Sequence, residues 1–107
     1  MTNQAIKFID LLNDINYYDW KLALYCQGGH PYSLDSSCWV LDPNLEDDSN
    51  HQKLVKENNL SYILSIHIIQ DILSNLKQQK QLVTDEEMLR AFKFYMEHDA
   101  FINMKIQ

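Results

Sequence analysis

Residues 59–79, NLSYILSIHIIQDILSNLKQQ, change hydrophobic period partway without a Gly or Pro between the two patterns. Leu60, Tyr62 and Leu64 alternate with Ser61, Ile63 and Ser65, the two-residue period of a strand. From Ser65 onward Ile66, Ile69, Ile72, Leu73 and Leu76 follow helical spacing, and Ser65 is suited to cap the helix. The segment therefore predicts a strand running directly into a helix, against the competing reading of one helix over 60–79.

The flanking segments predict the elements around it. NQAIKFIDLLNDI, residues 3–15, places Ile6, Ile9, Leu12 and Ile15 on one helical stripe, widened by Ala5, Phe8 and Leu11, with Thr2 as N-cap. WKLALYC, residues 20–26, sets Trp20, Leu22, Leu24 and Cys26 against Lys21, Ala23 and Tyr25, a strand pattern. QGGHP ends it, because Gly28 and Gly29 permit positive φ and Pro31 has no backbone donor. SCWVLD, residues 37–42, predicts a second strand that stops at Pro43 and can pair antiparallel with the first. NLEDDSNHQ is a polar connector, and HQKLVKENN adds a helical turn or two. TDEEMLRAFKFYMEHDAF opens with a capping box, Thr84 with Glu87, followed by an apolar stripe of Met88, Leu89, Phe92, Tyr95 and Met96. Phe101, Ile102, Met104 and Ile106 predict a tail docked on the body.

The order helix, strand, strand, strand, helix, helix predicts an α+β fold, a small mostly antiparallel sheet of about three strands with about three helices packed on one face in two layers. At 107 residues the expectation is one domain over 1–107. No run of about 18 apolar residues suggests a membrane span, and the N-terminal MTNQAIKFID lacks the pattern of a signal peptide, so a cytoplasmic protein is expected. In that compartment Cys26 and Cys38 are expected as free thiols in the core; a disulfide would require their strands to lie side by side.

Fifteen acids against nine bases give a net charge of −6. The bases are scattered and Arg90 is the single arginine, which argues against nucleic-acid binding and favours a basic protein partner. The charge is uneven. Between Leu22 and Gln52 there is no Lys or Arg, while Asp35, Asp42, Glu46, Asp47 and Asp48 are all acidic. WVLDPNLEDD, residues 39–48, sets an apolar run containing Trp39 directly against this charge. A solvated loop, a docking surface for a basic protein and a metal site are the three readings; the spacing lacks the alternating acids and central Gly of a calcium loop. Asp85, Glu86 and Glu87 are explained by their place in the first turn of a helix. His30, His51, His67 and His98 show no metal-binding or catalytic spacing, and no phosphate loop or nucleophile elbow is present, so no cofactor, metal or catalytic residue is expected. Tyr17, Tyr18, Trp20, Tyr25, Tyr32 and Trp39 crowd the first forty residues; any that are exposed are suited to anchor an interface.

WVLD, LSIHIIQDILSNLKQQ and MLRAFKFYMEHDAFI together resemble a family of small bacterial proteins. Some of its members are encoded beside polymorphic toxins and regarded as their immunity proteins in contact-dependent growth inhibition. The resemblance covers roughly residues 37–102 and rests on patterns of fold, so it carries over no catalytic residue. It implies a protein that binds and neutralises a cognate toxin, most simply a nuclease, by occlusion. The residues expected at that contact are Asp35, Trp39, Asp42, Glu46, Asp47 and Asp48. The alternative is a non-catalytic interaction module of another kind, such as a homodimer or accessory subunit.

Overall fold

The computed structural model describes residues 4–28, 31 and 33–104. It shows an α+β fold on one open antiparallel sheet. Strands β1 (Ile6–Lys7), β2 (Ala23–Gln27), β3 (Ser37–Leu41) and β4 (Leu60–Ser65) lie in the order β1-β3-β2-β4. Helices α1 (Phe8–Asn13), α2 (Ser49–Asn58), α3 (Ile66–Gln79) and α4 (Asp85–His98) accompany it, with short 3-10 turns at Ile15–Tyr17 and Pro43–Leu45.

The change of period at Ser65 is a change of structure. The Ser65 hydroxyl accepts from the Ile68 N–H at 3.4 Å, and the Ile66 N–H donates to the Leu22 carbonyl at 2.9 Å, so the first turn of α3 is tied to the start of β2. β4 differs from the expected simple alternation. Leu64 pairs with Leu24 but Tyr62 pairs with Tyr25, so Ile63 is the extra residue of a β-bulge. The bulge shifts the side-chain phase: Ile63 and Leu64 pack on the main core, whereas Leu60 belongs to the opposite face.

Both faces of the β2–β3 hairpin are covered. Leu24, Cys26, Cys38 and Val40 meet Phe8, Leu11 and Leu12 of α1, Ile69, Leu73 and Leu76 of α3, and Phe92 of α4 in the main core. Phe8 and Phe92 meet edge to face with centroids 4.8 Å apart. On the other face Ala23, Tyr25, Trp39, Leu41 and Leu60 form a second cluster, covered by Leu54 and Val55 of α2. The expected helical turn or two at residues 51–59 is thus a full helix, and the layers number three where two were expected. Left-handed Asn59 (φ 53°) ends α2 and turns the chain directly into β4, a conformation asparagine tolerates well.

The N-terminal segment also departs from expectation. The helix predicted over 3–15 is confined to 8–13, because Ile6 and Lys7 pair with Cys38 and Ser37 as β1. The Phe8 and Ile9 N–H groups then donate to the Ser36 and Leu34 carbonyls, both at 2.9 Å, which supplies acceptors for two donors a helix start leaves open. Thr2, the expected cap, lies outside the described residues. Trp20, expected at the start of a strand, precedes β2 and is 60% exposed. The tail docks in part: Ile102 is buried, and the Gln79 amide donates to the Ile102 carbonyl at 2.8 Å and accepts from the Met104 N–H at 2.9 Å, whereas Phe101 is exposed and Ile106 lies outside the described residues.

The capping box of α4 is complete, with the Glu87 N–H donating to Thr84 Oγ1 at 3.1 Å and the Thr84 N–H donating to Glu87 Oε1 at 2.9 Å. Lys80 also donates to Glu87. These bonds, Lys80 first, hold the Glu87 carboxyl at about 2, well below its ordinary 4.5. A carboxyl depressed on folding stabilises the folded state fully above its unfolded value and loses that contribution as pH falls toward the folded one. Urea unfolding of the wild type and Glu87→Gln should therefore differ most at neutral pH, with the gap closing between pH 4.5 and about 2.

Candidate functional site

Four of the six expected contact residues gather where β3 meets α2. Asp42 follows β3, and its carboxylate accepts from the Asn44 N–H at 2.9 Å, capping the Pro43–Leu45 turn. The Leu45 N–H donates to the Asp42 carbonyl at 3.1 Å and the Asp48 N–H to the Leu45 carbonyl at 2.8 Å, folding the chain back twice within seven residues. Asp48 then caps α2, accepting from the Asn50 and His51 N–H groups at 2.9 and 3.2 Å. Gln52 Nε2 donates to the Glu46 carbonyl at 3.1 Å, which pins the turn to the helix it opens. Glu46, Asp47 and Asp48 are exposed and Asp42 is half-buried. Among the described residues none of these four carboxylates takes part in an ion pair.

A groove of about 350 Å³ adjoins the turn, lined by Tyr25, Glu46, His51, Gln52, Val55, Lys56, Leu60 and Tyr62. Its aromatic wall is ordered edge to face: Tyr25 meets His51 at 5.7 Å and 78°, and Tyr62 at 5.6 Å and 85°. Tyr62 is 54% exposed. Burial, then Tyr62, then the Glu46 and Asp42 carboxylates push the Tyr25 phenol above its ordinary value. The negative field of the turn thus reaches into the groove.

The other two expected residues lie elsewhere. Trp39 is only 6% exposed and sits in the second cluster under α2, so it supports this face from below. Asp35 stands at the opposite end of β3, 3.9 Å from Lys7 Nζ, and the structure does not bring it to the acidic turn. The acidic stretch is therefore two features, a paired one before β3 and an unpaired one after it. Sequence reading missed Tyr62 and His51 as members of the groove. The signal for Tyr62 was its place in the alternation of β4; nothing local marks His51. The crowded aromatics separate cleanly: Tyr17 and Trp20 are exposed, Tyr18 is half-buried, Tyr25 and Trp39 are buried, and Tyr32 lies outside the described residues.

Among the described residues no three His, Cys, Asp or Glu side chains converge as a metal site. Two histidines make surface contacts with acids, His67 with Asp71 at 3.3 Å and His98 with Glu97 at 3.8 Å. Among the described residues no helix is long and apolar enough to cross a membrane.

Fold and surface together define an α+β protein whose most distinctive exposed feature is an acidic turn beside an aromatic groove. The chain belongs to the family described as Domain of unknown function (DUF7716), which matches residues 5–104. No curated protein and no solved structure shows significant similarity to it.

Asp48 combines charge with capping, and the two roles are separable because asparagine caps as well as aspartate. Asp48→Ala should lower stability by about 1 kcal/mol and Asp48→Asn by no more than about 0.5 kcal/mol, measured by urea unfolding.

Proposed function

We propose that this protein is a non-catalytic inhibitor that binds a basic protein partner through the acidic turn and the groove beside it. The resemblance noted above makes that partner a toxin domain encoded nearby, neutralised in the cytoplasm of the producing cell. The observation carrying this reading is the set Asp42, Glu46, Asp47 and Asp48, held in one double turn without an ion pair among the described residues. Unpaired carboxylates fixed together raise a local negative potential that steers a cationic surface toward them. A nuclease suits this field, because a surface that binds phosphate is basic. Tyr62 and His51 then supply aromatic contact at short range. Occlusion of this kind involves no bond making.

Replacing the four acids by their amides (Asp42→Asn, Glu46→Gln, Asp47→Asn, Asp48→Asn) keeps the capping acceptors and removes the charge. Stopped-flow association with the toxin domain encoded beside this protein should slow about tenfold at low salt, and the two rates should converge as salt rises past physiological strength. The melting temperature should change little. An association rate unchanged at low salt refutes the steering role, and absence of saturable binding in calorimetry refutes the inhibitor itself.

A second reading, a homo-oligomeric module, is favoured by Tyr17 and Trp20, which are 89% and 60% exposed at adjacent turns before β2. Light scattering coupled to size exclusion should then give a dimer that Trp20→Ala dissociates. A monomer across the accessible concentrations rejects it.

A further inference from the structure

The strand register carries a consequence for Cys26 and Cys38, which are both buried and both reduced. They are direct partners across β2 and β3. In an antiparallel pair, opposite residues alternate between those exchanging two backbone hydrogen bonds and those exchanging none, and the second kind bring their side chains closer. Two independent backbone bonds fix which kind this is. On one side the Phe8 N–H donates to the Ser36 carbonyl at 2.9 Å, in the same register that pairs Ile6 with Cys38 two residues along. The backbone N–H and carbonyl of Cys38 therefore point toward β1. On the other side the Gly28 N–H donates to the Asn59 carbonyl at 3.2 Å, in the same register that pairs Cys26 with Ser61. The backbone N–H and carbonyl of Cys26 therefore point toward β4. Each cysteine turns its backbone hydrogen-bonding groups away from the other, so the pair is of the non-hydrogen-bonded kind, with an expected Cα separation of about 4.5 Å. That falls within the range a disulfide spans. Both side chains also project into the same core, since both belong to the main cluster.

We propose that Cys26 and Cys38 form a redox-active dithiol, convertible within the folded chain to a cross-strand disulfide that locks the loop end of the β2–β3 hairpin. The condition that the cysteine-bearing strands lie side by side is met. The neighbouring Cys26 thiol, with burial, pushes the Cys38 thiol up, so it stays protonated while the sheet is closed. Cys38 Sγ also donates to the Ile6 carbonyl at 3.4 Å, a contact that oxidation gives up. The pair is the last one of the hairpin ladder before the 28–36 connection, and because both sulfurs face the main core the exchange proceeds through local opening there. The oxidant is a small disulfide such as glutathione disulfide. One cysteine thiolate attacks a glutathione sulfur and expels glutathione thiolate. The second cysteine thiolate then attacks the protein sulfur of the mixed disulfide and expels the other. The two protein thiols lose two electrons and two protons, and two molecules of glutathione thiol are formed.

The folded protein is incubated with excess glutathione disulfide, then denatured, alkylated with iodoacetamide and weighed intact. The proposal predicts one species lighter than the reduced chain by two hydrogen atoms, unalkylated, with a peptide linking Cys26 to Cys38. It should melt at a higher temperature than the reduced chain and return to it on reduction. Cys26→Ser and Cys38→Ser should each leave one thiol and give no such species. Three results overturn the proposal: both thiols still alkylated under conditions that oxidise the unfolded chain, a persistent mixed disulfide with glutathione, or an internal disulfide that melts lower than the reduced protein.

Discussion

A hairpin buried on both faces needs cover from two directions, and most of this chain follows from that need. Leu24, Cys26, Cys38 and Val40 demand one apolar layer, while Ala23, Tyr25, Trp39 and Leu41 demand another. Helices α1, α3 and α4 provide the first. Among the described residues the second falls to α2, through Leu54 and Val55, with Leu60 at the start of the following strand. Burying Tyr25 and Trp39 in this way stabilises the sheet by removing large aromatic surfaces from water. It also fixes the place of α2 and of the turn that leads into it.

The acidic turn is therefore anchored by the core. Asp48 caps a helix whose apolar side is seated on the sheet, and Asp42 caps a turn that leaves a buried strand. Their charges are unpaired among the described residues, and each carboxylate accepts from backbone donors of its own turn. This reconciles the two ways of reading a charge run. Capping explains why acids stand at 42 and 48. It gives no reason for Glu46 and Asp47, whose side chains form no such bond in the described structure, and these add charge beyond what the turn needs.

Signals confined to a few neighbouring residues were legible in the sequence: the capping box at Thr84 and Glu87, the Ser65 cap, the helical stripe of α3 and the hairpin around Gly28. Features set by distant partners were not. β1 is two residues long and exists because Cys38 and Ser37 are there to pair with it. The same pairing cuts the expected N-terminal helix to six residues. The bulge at Ile63 reverses which residues of β4 face the main core, something no alternation announces. Of the site, the run of acids was visible and its division was not, because Asp35 and Asp42 lie at opposite ends of one strand. Trp39 read as a possible anchor since its cover, α2, carries only a weak apolar signal in HQKLVKENN.

The proposal that this face is the working surface is tested most directly by amide hydrogen exchange of the protein alone and with the proposed toxin partner added. Slowed exchange confined to residues 42–56 and to Tyr62 is the predicted footprint. Slowing centred on Tyr17 and Trp20, with 42–56 unchanged, would contradict it.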